Sequence, residues 1–486
     1  MRSRRDFLRL TGTVGAGITA TQLAAELDAQ ASPAGPGHPP ATPDHAWLRA
    51  GYIKARVRRP YFPNRYFDIT RFGAVGDGVT DCTEAIRRAV RTCHDAGGGH
   101  VLVPTGDFLT GPIHLLSHVD LHLTDKARLR FSTDPGRYLP AVLTRFEGVE
   151  LYNYSPLVYA LDQENIAVTG TGILDGQADN QHWWPWKGNA AYGWKPGDPN
   201  QNDARARLLA MAEQGVPVEQ RVFGDGGYLR SSFIQPYRCR NVLVEGVTIV
   251  NSPMWEIHPT LCENVLVQDV TVNSHGPNND GCDPESCRLV VIRGCTFDTG
   301  DDCIAIKSGR NADGRRVNVP SEDLLIENCQ MRDGHGGVTL GSEMSGGIRN
   351  VFVRNCHMSS PNLDIALRFK TNSVRGGFIT GFHARDIVVG VVGKAVIDVN
   401  FYYEEGPGHG FNPVVSDLNV SNLIVESAAQ GLNLRGYADD HIDRVTLRDV
   451  NFGTTTAPDV VEYVDHLVFD NVVENGAPLP SPAPAA

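Results

Sequence analysis

The sequence predicts an all-β chain: a right-handed parallel β-helix, a solenoid closed at one end by a short N-terminal capping helix. Two observations carry that expectation. From about residue 240 a phrase recurs in which a polar residue is followed by apolar, any, apolar, two mostly polar positions and a last apolar one. Between the copies runs no helical periodicity, only polar, Gly- and Asn-rich stretches that read as turns. Period-two alternation over three to five residues means short strands.

The phrase reads Asn241-Val-Leu-Val-Glu-Gly-Val, then Asn264-Val-Leu-Val-Gln-Asp-Val, then Leu289-Val-Val-Ile-Arg-Gly-Cys. Asp323 and Asn350 open two further copies, and looser ones start near Gly381, Asp417, Arg444 and His466, with an early one at Asn165. From Asn241 onward successive spacings run from 22 to 36 residues, the shorter ones near a single coil. One copy alone cannot bury its apolar face, but copies stacked about 4.8 Å apart share a continuous interior. A leucine-rich solenoid would need the Leu/Asn consensus, which is missing. A β-sandwich would not keep one register over so many copies.

An open solenoid end needs a cover. Asp81 to Cys93 supplies it: Asp81 reads as an N-cap with Glu84 completing a capping box. Ala85, Ile86, Ala89, Val90 and Cys93 make one apolar stripe, and Gly97, Gly98 and Gly99 end the helix. Between the first coil and the regular array, residues 177–230 form a long irregular insertion carrying Trp183, Trp184, Trp186 and Trp194. These tryptophans either pack the insertion onto the solenoid or help it close one end of a groove; packing suits most of them better.

The ends differ in composition. Arg4 and Arg5, within Ser3 to Arg9, form a twin-arginine pattern before a mildly apolar stretch, and Ala29-Gln30-Ala31 offers a cleavage site. Residues 1–31 are therefore expected to be a signal peptide, 32–45 a Pro/Ala-rich linker, 46–475 a single β-helical domain and 476–486 a loose tail. That stretch is too short and polar to span a membrane. A periplasmic or secreted protein is expected, with no membrane partner. The net charge of −12 argues against nucleic acid, so an anionic ligand must be met by local cations.

Ten cysteines in an exported chain would suggest disulfides, but their positions recur in register. Cys239, Cys262 and Cys287 each open a coil, while Cys295, Cys329 and Cys356 share another position. Stacked, buried, mostly free thiols are expected. No Cys/His spacing suits zinc, and no metal or cofactor is expected.

The chemistry gathers between Asn278 and Lys370. Asp280 lies 21 residues before Asp301, close to one coil, so the two are expected at equivalent turns of adjacent coils. Such stacking brings like charges together and splits acid from base. Glycoside cleavage needs one protonated carboxyl for the leaving oxygen and one carboxylate to activate water, and Asp280, Asp301 and Asp302 can divide that work. His335, between two glycines about a coil further on, can approach and tune an acid. Arg368 and Lys370 share one face of a strand while Phe369 takes the other, giving a bidentate clamp and a point charge for a carboxylate. Asn278 and Lys307 are expected substrate contacts, with Glu343 a weaker candidate. Asn251 and His258 either line the groove floor or serve the structure.

In four motifs the sequence resembles glycoside hydrolase family 28, the polygalacturonase family. Asn278 to Gly281 (NNDG) matches its NTDG, Gly300 to Asp302 its GDD, Gly334 to Gly336 its GHG, and Arg368 to Lys370 its RIK with Phe369 for Ile. The likeness covers most of the chain from Asp77 onward. It implies Asp301 as general acid, Asp280 and Asp302 activating water, and His335 supporting the acid. It also implies Arg368 and Lys370 on a uronate carboxylate, inverting chemistry, a pectin or polygalacturonate substrate and a monomer. The wording around His275 to Ser286, Gly341 to Gly347 and Arg368 to Asn372 resembles the bacterial exo-acting branch. One tension stands: carboxylates on adjacent coils could lie closer than the ~6.5–9.5 Å usual for inverting enzymes. The rivals are a pectate-lyase-like eliminase with calcium on Asp301 and Asp302, and a non-catalytic polysaccharide-binding β-helix. The latter would not need carboxylates and cations collected on a few coils.

Overall fold

The two ends of the repeated phrase are where the chain turns. In this computed structural model, which describes residues 43–481, the first position of each copy has left-handed backbone, with φ from +51° at His466 to +68° at Gly381. The sixth position has positive φ too, from +48° at Asn422 to +109° at Gly170. Asn, Asp and Gly tolerate that conformation, which is why the phrase is polar there; Leu289 and Arg444 adopt it against their preference. The turns are tied together by side chains, Asn264 Nδ2 donating to Asn241 Oδ1 at 2.6 Å and Asn241 Nδ2 to Asn165 Oδ1 at 2.9 Å.

Between those turns the strands stack in parallel. Arg240–Glu245, Glu263–Gln268, Arg288–Arg293, Ser321–Glu327, Ile348–Arg354 and Phe378–Val391 pair in that order. The array continues through Val414–Ala428, Ile442–Asn451 and Val464–Glu474. Val242, Val265, Val290, Leu324, Val351, Phe382 and Leu418 fall into one buried column. Burying each such side chain contributes about 1.5–3 kcal/mol. Another six-stranded stack runs through Ile304–Ile306, Val338–Gly341, Ile365–Lys370, Ala395–Asn400, Gln430–Arg435 and Val460–Glu462. The expected parallel β-helix is what the chain forms.

All ten cysteines are free and buried. Cys239 N donates to Cys262 Sγ and Cys262 N to Cys287 Sγ, each at 3.4 Å, and Ser321 Oγ continues the ladder by accepting from Cys287 N at 3.2 Å.

The chain divides at Arg49 into two units. Of the first, residues 43–49 are described and are helical; the expected signal peptide, and all of the linker but its last three residues, lie outside the described residues. In the second, Ala50 and Ile53 of the helix Pro43–Arg56 are buried, and Lys54 pairs with Glu327 at 2.7 Å. The capping helix runs Thr83–Asp95 and buries the expected stripe. Its start corrects the capping box. Cys82 is the N-cap position, Asp81 instead accepts from Thr83 N at 3.1 Å, and Glu84 pairs forward with Arg87. At its other end Gly98 N reaches Cys93 O at 2.9 Å, and a Cβ there would meet His118 O at 2.5 Å.

The insertion is more regular than expected, holding a helix Asn202–Glu213 and short 3-10 turns. An antiparallel hairpin, Val142–Phe146 with Val149–Asn153, packs its Phe146, Val149 and Leu151 against Leu208 and Ala212 of that helix. The tail also differs from expectation: Ala477–Pro478 folds back antiparallel onto Val473 and Glu474. Among the described residues no helix is long and apolar enough to cross a membrane.

Candidate active site

Backbone register decides which carboxylates meet. Cys282 pairs with Ile304 and Ile304 with Val338, so Asp280 lies level with Asp302 and Gly336. Asp301 stacks between Asn279 and His335: its N–H donates to Asn279 O at 3.2 Å, and His335 N donates to Asp301 O at 3.0 Å. The expected pairing of Asp280 with Asp301 is therefore corrected by one residue. Even so, one oxygen from each of Asp280, Asp301 and Asp302 lies within 4.8 Å of the others.

Each carboxylate has different company. Asp301 Oδ1 takes His335 Nδ1 at 2.9 Å, and Asn278 Nδ2 stands 3.5 Å from Asp301 Oδ2. Asp302 is fully buried; Lys370 Nζ donates to its Oδ2 at 2.7 Å, while Arg368 Nη1 at 3.3 Å and Thr339 Oγ1 at 2.9 Å reach Oδ1. A Cβ on Gly336 would sit 2.8 Å from Asp302 Oδ1 and 2.2 Å from Thr339 Oγ1, so the second glycine of the motif is needed for this approach. Asp280 is buried, with Lys307 Nζ 3.7 Å from its Oδ2.

Those surroundings separate the three ionisations. Burial, with the like charges of Asp283 and Asp301, pushes the Asp280 carboxyl well above the usual range. Burial also works against ionised Asp301, but the His335 hydrogen bond and charge, with Lys370 and Lys307, outweigh it and hold that carboxyl low. Asp302 is likewise held low, Lys370 and Arg368 overcoming its burial. The Asp301 hydrogen bond raises His335. In the ligand-free protein the proton of this pair thus sits on the imidazole.

Arg368 and Lys370 project from strand Ile365–Lys370 as expected, and Phe369 faces inward, edge-on to Phe382 at 4.9 Å. Lys307 is placed differently from the substrate contact expected. Its side chain is 3 % exposed, with Asp283 Oδ1 and Glu343 Oε2 each 3.4 Å from Nζ and the Trp255 ring 4.5 Å away. Glu343 is buried between Lys307 and Arg310. His258 belongs to the structural alternative: it is fully buried, its ring nitrogens meeting Glu285 at 2.8 Å and Gln235 at 2.8 Å. Asn251, on the coil before that of Asp280, ties back to Asp175 at 2.9 Å.

Several residues at the site escaped the sequence. Tyr403 turns its ring to Lys370 Nζ at 5.3 Å and Arg368 at 5.8 Å; its one signal is the aromatic-acidic run Tyr402 to Glu405 in the following coil. Lys187 and Arg230, from the insertion, both donate to Asn278 Oδ1 at 2.9 Å. Of the tryptophans, Trp183 is buried against Tyr138 and Trp186, and Trp184 donates to Ser252 O at 2.8 Å, so these pack the insertion onto the coils. Calcium suits the triad poorly, because Lys370 and Arg368 already neutralise Asp302 and Lys307 stands at Asp280.

Three crowded carboxylates, one with an attached proton carrier, beside a paired Arg and Lys in a β-helix, have the make-up of a glycoside hydrolase site. The comparisons agree. The profile described as Glycosyl hydrolases family 28 matches residues 225–466. A hyperthermoactive exopolygalacturonase from Thermotoga maritima superposes with a TM-score of 0.86 at 49% identity, covering 89% of this chain and 96% of that one. A probable polygalacturonase of Vitis vinifera is 28% identical over 78% of this chain and 72% of its own length. An exo-poly-alpha-D-galacturonosidase of Dickeya chrysanthemi is 29% identical over 71% of this chain and 58% of its own. The chain belongs to glycosyl hydrolases family 28 and is a glycoside hydrolase.

Proposed function

We propose that this enzyme hydrolyses α-1,4-galacturonosyl linkages of pectin, acting on chain ends with inversion. The observation that carries this is the placing of Arg368 and Lys370 against Asp302, beside Asp280 and Asp301. A uronate supplies the carboxylate those cations can hold, with Tyr403 walling the same place. Its charge and the water it expels weaken what holds Asp301 low, and the proton passes from His335 Nδ1 to Asp301 Oδ1 across 2.9 Å. Asp301 then protonates the leaving glycosidic oxygen. Water between Asp280 and Asp302 attacks the anomeric carbon, and Asp280, the more basic of the two, takes its proton.

The exo reading is supported by the insertion at one end of the carboxylates and by the names of the Thermotoga and Dickeya relatives. We further infer an exported protein, led by the twin-arginine segment 1–31, with one β-helical catalytic domain over 46–475. The test is incubation with polygalacturonate and chromatography of products over time. Monomer or dimer from the earliest points, unaffected by chelator, is expected. A ladder of oligomers would overturn exo action, and a chelator-sensitive unsaturated product would mean elimination instead.

A further inference from the structure

Two cations of the insertion, Lys187 half-buried and Arg230 buried, have no counter-ion among the described residues. Lys187 Nζ donates to the neutral amide oxygen of Asn278. Arg230, 1% exposed, donates to that same oxygen, to Gln201 Oε1 and to the carbonyls of Pro253 and Pro277. Among the described residues neither has a carboxylate within 4.0 Å. Glu147, the main negative influence on both, is taken by Arg205 and Arg310. A cation drawn partly out of water is costly unless paired, and here the half-buried ammonium stands one side chain from the reacting groups, since Asn278 reaches on to Asp301.

Position along the solenoid gives this its meaning. Asn278 belongs to the Asp280 coil, Asp302 to the next, Thr339 to the one after, and Arg368 to the following coil. Lys187 and Arg230 therefore flank the carboxylates on the N-terminal side and Arg368 and Lys370 on the C-terminal side, a few spacings of about 4.8 Å apart. A galacturonan carries one carboxylate on each sugar, so a disaccharide across the scissile bond presents two. Arg368 and Lys370 account for one.

We propose that Lys187 binds the other, the carboxylate of the terminal uronate on the far side of the scissile bond, with Asn278, itself held by Arg230, fixing its ammonium. This rests on the function proposed above. It makes the insertion a reader of charge as well as a wall: the end it accepts must be an acid.

The experiment compares digalacturonate with its two monomethyl esters, one on each sugar, for the wild type, Lys187→Met and Lys187→Arg. Wild type should prefer the free acid to either ester by about 10–100-fold in kcat/KM, the range for one charge-assisted contact. Lys187→Met should erase the preference at one sugar and leave it at the other, and Lys187→Arg should restore much of it. Lys187→Met with both preferences intact, or Lys187→Arg indistinguishable from Lys187→Met, overturns the proposal while leaving galacturonan hydrolysis standing. A wild type that cleaves none of the three yet releases dimer from polygalacturonate overturns the proposal alone, and one that releases nothing from either overturns both.

Discussion

Replacing Lys307 with Met tests whether this lysine holds Asp280, the base proposed above, in its working state. Its ammonium stands 3.4 Å from Asp283 and from Glu343 and 3.7 Å from Asp280, all four side chains being buried. At an effective dielectric of about 20, each contact is worth roughly 4–5 kcal/mol of Coulomb attraction. Much of that offsets the cost of burying the ammonium, so the net loss expected on breaking the cluster is about 3–5 kcal/mol. Thermal unfolding should move down by several degrees. The pH profile carries the sharper result. Asp280 is already raised by burial and by Asp283, and losing its nearest cation raises it further, each pKa unit costing about 1.4 kcal/mol. A base works ionised, so activity disappears as pH falls through its pKa. In Lys307→Met the acidic limb of kcat/KM should therefore shift upward by about one unit or more, with activity partly recovered at higher pH. An acidic limb that stays in place, in a variant whose melting temperature has dropped, would show that Lys307 serves folding alone.

Other expectations follow from the same contacts. Asp301→Asn should lower kcat by about 10²–10⁴-fold with little change in melting temperature, and retained activity would remove its role as acid. His335 should titrate above the ordinary value of about 6.5 by NMR and fall back toward it in Asp301→Asn; its contribution to stability should be full below that ordinary value and vanish as pH rises through the higher one. A thiol reagent should find no fast-reacting cysteine in the native protein and ten after denaturation without reductant. Products formed in deuterium oxide should appear first as the β-anomer; an initial α-anomer would mean that the short carboxylate spacing reports a retaining mechanism.

The solenoid and the carboxylates were legible in the sequence because both rest on local rules. The polar position opening each phrase is polar for a backbone reason, so Asn241, Asn264 and Asp323 announce turns. Cations two residues apart on a strand must share a face, so Arg368 and Lys370 could be paired from spacing alone. Register was legible only to within a residue: 21 positions separate Asp280 from Asp301, yet the coil matches Asp280 to Asp302. Burial was not legible at all for Lys307, whose partners Asp283 and Glu343 come from neighbouring coils. Nor could periodicity place Lys187, because the insertion meets Asn278 across 91 residues of chain. Asp81 misled for a simpler reason, the N-cap falling at Cys82, one residue later than the capping pattern suggested.

The stacked turns have a consequence for how the molecule comes apart. The backbone of each coil pairs only with the coil before and the coil after, with side chains such as Lys370 reaching one coil further, so cohesion passes largely from neighbour to neighbour, as in a one-dimensional chain of coupled units. Such a chain frays from its ends. The coils bearing Asn278 to Lys370 have strands on both sides, with Arg240–Glu245 before them and Val414–Ala428, Ile442–Asn451 and Val464–Glu474 after. An opening that starts at either terminus must melt through intact coils before it disturbs the carboxylates. The chemistry is kept in the middle of the stack, where the polymer is stiffest.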